Sequence, residues 1–126
     1  MDNISRDKRI EMINWFKDYC PIHIDSRTID ERRCIPPFVL QDMARNNFLG
    51  MHLPEQFGGI PLLNIDIIKV YQHIVTFDVA LGAFIANNNC LGIRPVYKYG
   101  SEEIKNKFVK PLCNGQILSS IGVSEP

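Results

Sequence analysis

The side chains able to do chemistry are few and scattered. Four cysteines stand at Cys20, Cys34, Cys90 and Cys113, and no two share a C-x-x-C spacing. The histidines, His23, His52 and His73, are equally dispersed. A zinc site needs ligands grouped at short intervals, so no metal residues are assigned. Packed free thiols in a reducing cytoplasm are the expectation. Arg32-Arg33, with Arg27 near, offers cationic groups to a phosphate. Asp25, Asp30 and Glu31 interrupt them, which favours a solvated, salt-linked face. Glu55 and Glu125 are the acids beside glycine or proline punctuation, and neither has a visible partner to poise it for proton transfer. There is no P-loop, nucleophile elbow or dinucleotide fingerprint; FGGIP is a glycine pair, not G-x-G-x-x-G. The residues alone name no catalytic group.

The elements that position these groups read as helices. The 126 residues suffice for one domain with a true core. Fourteen basic and fourteen acidic residues cancel, which argues against nucleic acid or an anionic membrane as partner. No apolar run is long enough to cross a membrane, and MDNISRDKRI lacks the apolar segment of a secretion signal. Residues 4–20 place Ile10, Ile13, Phe16 and Cys20 on one helical stripe, stopped by Pro21. HIDSRTIDERRCI is open between helix and loop. Pro37 opens a helix through FVLQDMARN, with Phe38, Leu40 and Met43 offered to the core.

NNFLGMHLPEQFGGIPLLN holds three glycines and two prolines and reads as a long structured loop. Its Gly-Gly pair fits positive φ or close backbone approach. Asn64 and Asp66 are candidate caps for IDIIKVYQHIVTF, where Ile67, Val70, Tyr71 and Ile74 make a helix face. Asp78 caps VALGAFIANNN, which is nearly uncharged and expected to be buried on most sides. Asn87-Asn88-Asn89 marks its end, because Asn tolerates the left-handed conformation. LGIRPVYKYG follows as a short helix or turn. Ser101 then caps a helix with Glu102 and Glu103 first and lysines last, matching the helix dipole. Pro111 ends or kinks it. Asn114-Gly115 turns into SSIGVSEP, where Ile117, Ile121 and Val123 alternate as in a strand. The expected fold is all-α, an antiparallel helical bundle over residues 1–116. Residues 117–126 begin a single strand that needs a sheet elsewhere.

Three stretches in order resemble the N-terminal domain of the acyl-CoA dehydrogenase family. LGMHLPEQFGGIPL, residues 49–62, is similar to its Pro-Glu-x-(Tyr/Phe)-Gly-Gly signature. LGIRPVYKYGSEEIKNKFVKPLCNGQ, residues 91–116, resembles its run through Gly-(Thr/Ser)-Glu-Glu-x-Lys. IGVSEP, residues 121–126, matches its Thr-Glu-Pro segment. TIDERRCIPP and NNNCLGIRP further resemble a subgroup encoded beside fatty-acyl-AMP ligases and carrier proteins, whose members are expected to oxidise carrier-bound acyl groups.

The resemblance implies an FAD-dependent oxidoreductase that desaturates an acyl thioester, on CoA or an acyl-carrier protein, at the α,β bond. The β-hydrogen would leave as hydride to FAD and the α-hydrogen as a proton. It implies that Ile121, Val123 and Ser124 meet the flavin. The family usually has Thr where Ser124 stands, and often Tyr or Phe where Ile121 stands. It implies that Ala83, Phe84 and Asn87 lie nearest the acyl chain, although core packing is the simpler expectation for Ala83. The family's middle β-domain, C-terminal helices and glutamate base have no counterpart here. The chain alone is therefore expected to be inactive, to bind FAD weakly, and to associate as a homo-oligomer through its uncovered face. The competing reading is a stand-alone helical docking module for a carrier protein or partner subunit, without flavin chemistry.

Overall fold

The structure is a computed structural model describing residues 2–122 and Ser124. Seven helices account for most of it: α1 (Asp2–His23), α2 (Ser26–Arg32), α3 (Pro37–Arg45), α4 (Asn64–Phe77), α5 (Val79–Asn87), α6 (Arg94–Tyr99) and α7 (Glu102–Cys113). A 3-10 turn covers Glu55–Phe57, and a π-helical turn, Asn88–Ile93, joins α5 to α6. The chain forms a helical bundle in which α4 packs between α1 and α5, while α6 packs on α7.

The main core gathers Met12, Ile13, Phe16, Tyr19 and Cys20 of α1, Val39 and Met43 of α3, Ile67, Val70 and Ile74 of α4, and Leu81 and Ile85 of α5. Spacings of three and four along α1 and α4 produce this convergence. A second cluster joins Leu53, Ile93, Val109, Leu112 and Cys113. Ile10 and Phe38, both expected inside, are exposed. Val39 takes the core position in α3, one residue past Phe38.

Three expected stops do not stop their helices. α1 runs past Pro21 to His23, and the next backbone bond, from Ile24 N–H to the Cys20 carbonyl, is intact at 2.9 Å. Pro111 likewise sits inside α7. A proline near a C-terminus forfeits only one or two bonds, which packing offsets. The asparagine triplet does not end α5. Asn87 and Asn88 are right-handed, with φ −62 and −58, and the helix continues through the π turn.

The caps divide. Asp78 Oδ1 accepts from Leu81 N–H at 2.7 Å, and Ser101 Oγ from Ile104 N–H at 3.3 Å. α4 instead begins after Leu63 with no side-chain cap. Asp66 is buried against α1: its Oδ1 meets Arg9 Nη1 at 2.7 Å, and its Oδ2 accepts from Ser5 Oγ at 2.6 Å. Ser5 Oγ in turn accepts from Leu63 N–H at 2.9 Å. HIDSRTIDERRCI resolves as helix α2, capped by Asp25, with Arg27 paired to Glu31 at 2.9 Å.

Among the described residues the expected strand is not formed. Residues 117–122 carry no regular secondary structure, and the described residues contain no strand. A ladder needs a second strand. Here the Ile117 N–H is turned back onto the Pro111 carbonyl, at 3.3 Å, and the Ser119 N–H onto Asn88 Oδ1, at 3.2 Å.

The long loop belongs to the core. Phe48, Leu49, Met51 and Leu53 are fully buried. The two glycines of FGGIP do different work. Gly58 has φ +81 and nothing within 4 Å of an added Cβ, whereas a Cβ on Gly59 would lie 2.5 Å from the Leu53 carbonyl oxygen and 2.7 Å from that of Gly50. Gly59→Ala is therefore expected to cost about 1–3 kcal/mol by overpacking against backbone. Gly58→Ala carries only the conformational penalty of about 1–2 kcal/mol. Urea unfolding midpoints of the two variants measure the difference.

Candidate functional site

Apolar side chains are exposed on several helices, and on α5 they line a groove. Leu81, Gly82 and Ile85 face the core, while Val79, Ala80, Ala83 and Asn87 face outward, Val79 being 70% exposed. The helix is therefore not buried on most sides, and Ala83 is not a packing residue. Its apolar outer surface forms one wall of a groove of about 790 Å³. The other wall is Ile29 of α2, Cys34 and Ile35 after it, and Leu40 of α3. Volume and lining suit an apolar small-molecule group. Arg33, closing α2 with φ +51, and Asp30 line it as well.

Ala83 and Phe84 lie in this groove, whereas Asn87 is exposed one turn further along the same helix and outside its lining. Leu91, four residues beyond Asn87 and 45% exposed, extends the stripe; the four-residue spacing from Ala83 and Asn87 was the signal for it in the sequence. Ile121 and Ser124 are exposed on the C-terminal segment and do not line the groove; Val123 lies outside the described residues. The segment nevertheless passes close by. Ser119 bonds Asn88, the immediate neighbour of Asn87.

Behind the exposed face, polar groups are closely matched. Asn89 Nδ2 donates to the Phe48 carbonyl at 2.7 Å and the Ile85 carbonyl at 2.9 Å, and its Oδ1 accepts from Met51 N–H at 3.2 Å. Cys90 Sγ lies 3.7 Å from His52 Nε2 and 3.9 Å from the Tyr71 hydroxyl. Burial, then the Arg94 charge, lowers the His52 pKa and keeps the ring neutral. Burial, followed by Cys90, pushes the Tyr71 hydroxyl well up. These groups pack together behind the face as its support. Among the described residues no group of three His, Cys, Asp or Glu side chains could hold a metal, and no helix is long and apolar enough to cross a membrane.

The described residues thus form an all-helical domain with an apolar groove along the outer face of α5. The family model for the acyl-CoA dehydrogenase N-terminal domain matches residues 11–116, and the chain belongs to that family. It is 28% identical over 91 residues to an acyl-CoA dehydrogenase of Bacillus subtilis (strain 168), covering 71% of this chain and 24% of that protein. It is 26% identical over 98 residues to a 3-(aryl)acrylate reductase of Clostridium sporogenes (strain ATCC 15579), covering 78% of this chain and 26% of the relative. The butyryl-CoA dehydrogenase structure from Megasphaera elsdenii shares the fold, with TM-score 0.80 at 20% identity over 95% of this chain and 33% of that one. A structure described as PigA with FAD and proline gives TM-score 0.77 at 21% identity, over 94% of this chain and 31% of that one. The chain thus spans about a quarter of the length of the curated relatives it matches.

Two buried thiols set an alkaline limit on the domain. Burial, then the Asp78 charge, raises Cys20 from 9.0 to about 12, and burial raises Cys113 from 9.0 to about 11. Below pH 9 neither state ionises these groups, so they leave stability unchanged. Between pH 9 and 11 the unfolded chain releases both protons while the native chain retains them, so stability falls as pH rises. The expected slope approaches about 1.4 kcal/mol per pH unit for each thiol. Urea unfolding of wild type and Cys113→Ala, compared at pH 8 and pH 10, checks it: the variant is expected to lose less stability.

Proposed function

We propose that this chain forms the acyl-binding wall of an FAD-dependent dehydrogenase that desaturates an acyl thioester at its α,β bond. The observation that carries the reading is the apolar outer face of α5, where Val79, Ala80 and Ala83 face Ile29, Ile35 and Leu40 across a groove. Ala83, Phe84 and Asn87 would line the acyl chain. The groove along Val79, Ala83 and Phe84 has room for methylene groups against Ile29, Ile35 and Leu40, with Asp30 and Arg33 among its polar lining, which favours a fatty chain carrying a polar end. The names of the relatives, among them an isobutyryl-CoA dehydrogenase of Dictyostelium discoideum, support a thioester as substrate. The finer choice, supported by TIDERRCIPP and NNNCLGIRP, is an acyl group held on a carrier protein.

The residues present fit one edge of a flavin. Ser124 offers a hydroxyl and an N–H as donors, and the exposed Ile121 side chain offers an apolar surface to a ring. Val123 would belong to the same contact. Bound FAD supplies the hydride acceptor for the reaction. What this chain's own residues do is hold the acyl chain, exclude water along α5 and present Ser124. The further domains, with a carboxylate base, would complete the site and cover the outer face of α5, and the assembled protein would be a homo-oligomer.

Two measurements test the reading. The 126-residue chain alone should show no turnover with acyl thioester and an artificial electron acceptor, and no micromolar FAD binding by calorimetry. Tight FAD binding by this chain would defeat the one-wall assignment. In the complete protein, Ala83→Leu should shift acyl preference toward shorter chains, lowering kcat/KM for the longest good substrate roughly tenfold. An unchanged chain-length profile would remove Ala83 from the site.

A further inference from the structure

Beyond the Ile117–Pro111 bond, the segment that leaves the bundle toward Ser124 is held through Ser119. The Ser119 N–H donates to Asn88 Oδ1 at 3.2 Å, and its hydroxyl donates to the same oxygen at 2.8 Å. On either side Ile117, Leu118, Ser120, Ile121 and Gly122 are exposed. Gly92 makes room for this contact: a Cβ there would collide with the Ser119 side chain. Asn88 is 2% exposed, and its Nδ2 has no hydrogen-bond partner among the described residues. The side-chain bonds recorded for this buried amide all run to Ser119. A group that costly to bury, engaged only with an outgoing segment, reads as a fixing device.

Its place in the fold gives the device a role. Asn88 and Gly92 lie in the π turn, four residues apart. Asn87 and Leu91, exposed on the acyl-facing stripe, are their immediate neighbours. One turn of helix therefore carries both the end of the acyl wall and the anchor of the outgoing segment. Ser124 follows the anchor by five residues, a reach of at most roughly 17 Å even when fully extended.

We propose that Asn88, Gly92 and Ser119 form a latch that fixes where Ser124 stands relative to the acyl face of α5, and so act as positioning residues for the flavin edge. The proposal rests on the function proposed above. It predicts that the register of the segment, and with it the flavin's surroundings, depends on the Asn88–Ser119 bonds.

Amide hydrogen exchange on the 126-residue chain, which needs no flavin, decides whether the latch exists. The Ser119 amide should exchange at least tenfold more slowly than an open chain, and Gly92→Ala should abolish that protection while α4 and α7 keep theirs. Asn88→Asp, which retains the acceptor oxygen, should preserve the protection that Asn88→Leu removes. A freely exchanging Ser119 amide in the unaltered chain overturns the latch. The complete protein decides the positioning role. Ser119→Ala should lower kcat about tenfold with KM for the thioester within twofold, and should alter the change in flavin absorbance on binding a non-oxidisable thioester analogue. Unchanged kcat and unchanged flavin absorbance overturn that role. Should the complete protein bind no flavin, the functional reading and the positioning role fail together, while the exchange pattern still settles the latch.

Discussion

One buried side chain, Asn89, holds the halves of this domain in register. Its amide bridges the Ile85 carbonyl of α5, the Phe48 carbonyl and the Met51 N–H. The Phe48 carbonyl and the Met51 N–H, both on fully buried residues, would each carry a desolvation penalty of about 1–3 kcal/mol if left unpaired. Only an amide, with donors on one atom and an acceptor on the other, satisfies such a mixed set. Because Asn89 sits in the π turn, the same contact fixes the loop, the end of α5 and the start of α6.

The loop then behaves as a core element rather than a connector. Phe48 packs its ring on Trp15, at 5.6 Å between centroids, and on Phe16, at 5.8 Å. Gly59 lets the returning strand of the loop touch Leu53 and Gly50, and the Ile60 N–H closes onto the Gly50 carbonyl at 2.9 Å. Asp66, Arg9 and Ser5 pin α4 to α1, and α5 packs its inner face on α4. Its outer face is set by exclusion: whatever Leu81, Gly82 and Ile85 do not present to the core must face away from it.

Local signals in the sequence were reliable where the interaction was local. Asp78 and Ser101 cap helices three residues ahead of them, and the stripe Ile67, Val70, Ile74 packs as its spacing predicts. Signals failed where a distant partner outweighed them. Asp66 has the look of a cap, yet its partners are 57 and 61 residues away. The asparagine triplet looks like a helix end, yet tertiary bonds to Ser119, Phe48 and Met51 keep the backbone helical through it. SSIGVSEP alternates like a strand, but alternation alone supplies no ladder. The candidate site was legible only through resemblance. Composition made α5 look like a buried helix, and nothing short of packing distinguishes a helix covered on both sides from one with an open face.

The π turn has a consequence for how such a domain diverges. Over the rise of one helical turn it accommodates more residues than the 3.6 an α-helix uses. The residues that follow are therefore rotated about the axis relative to an uninterrupted helix, by about 100° for one extra residue. A lineage that gains or loses a single codon here keeps both flanking helices but changes which residues of the downstream helix face inward. In this chain the turn carries Asn88 and Gly92, which meet Ser119, while its neighbours Asn87 and Leu91 are exposed. Insertions and deletions at this one point, more than substitutions along α5, are thus the economical route by which a relative could re-aim its outgoing segment without rebuilding its core.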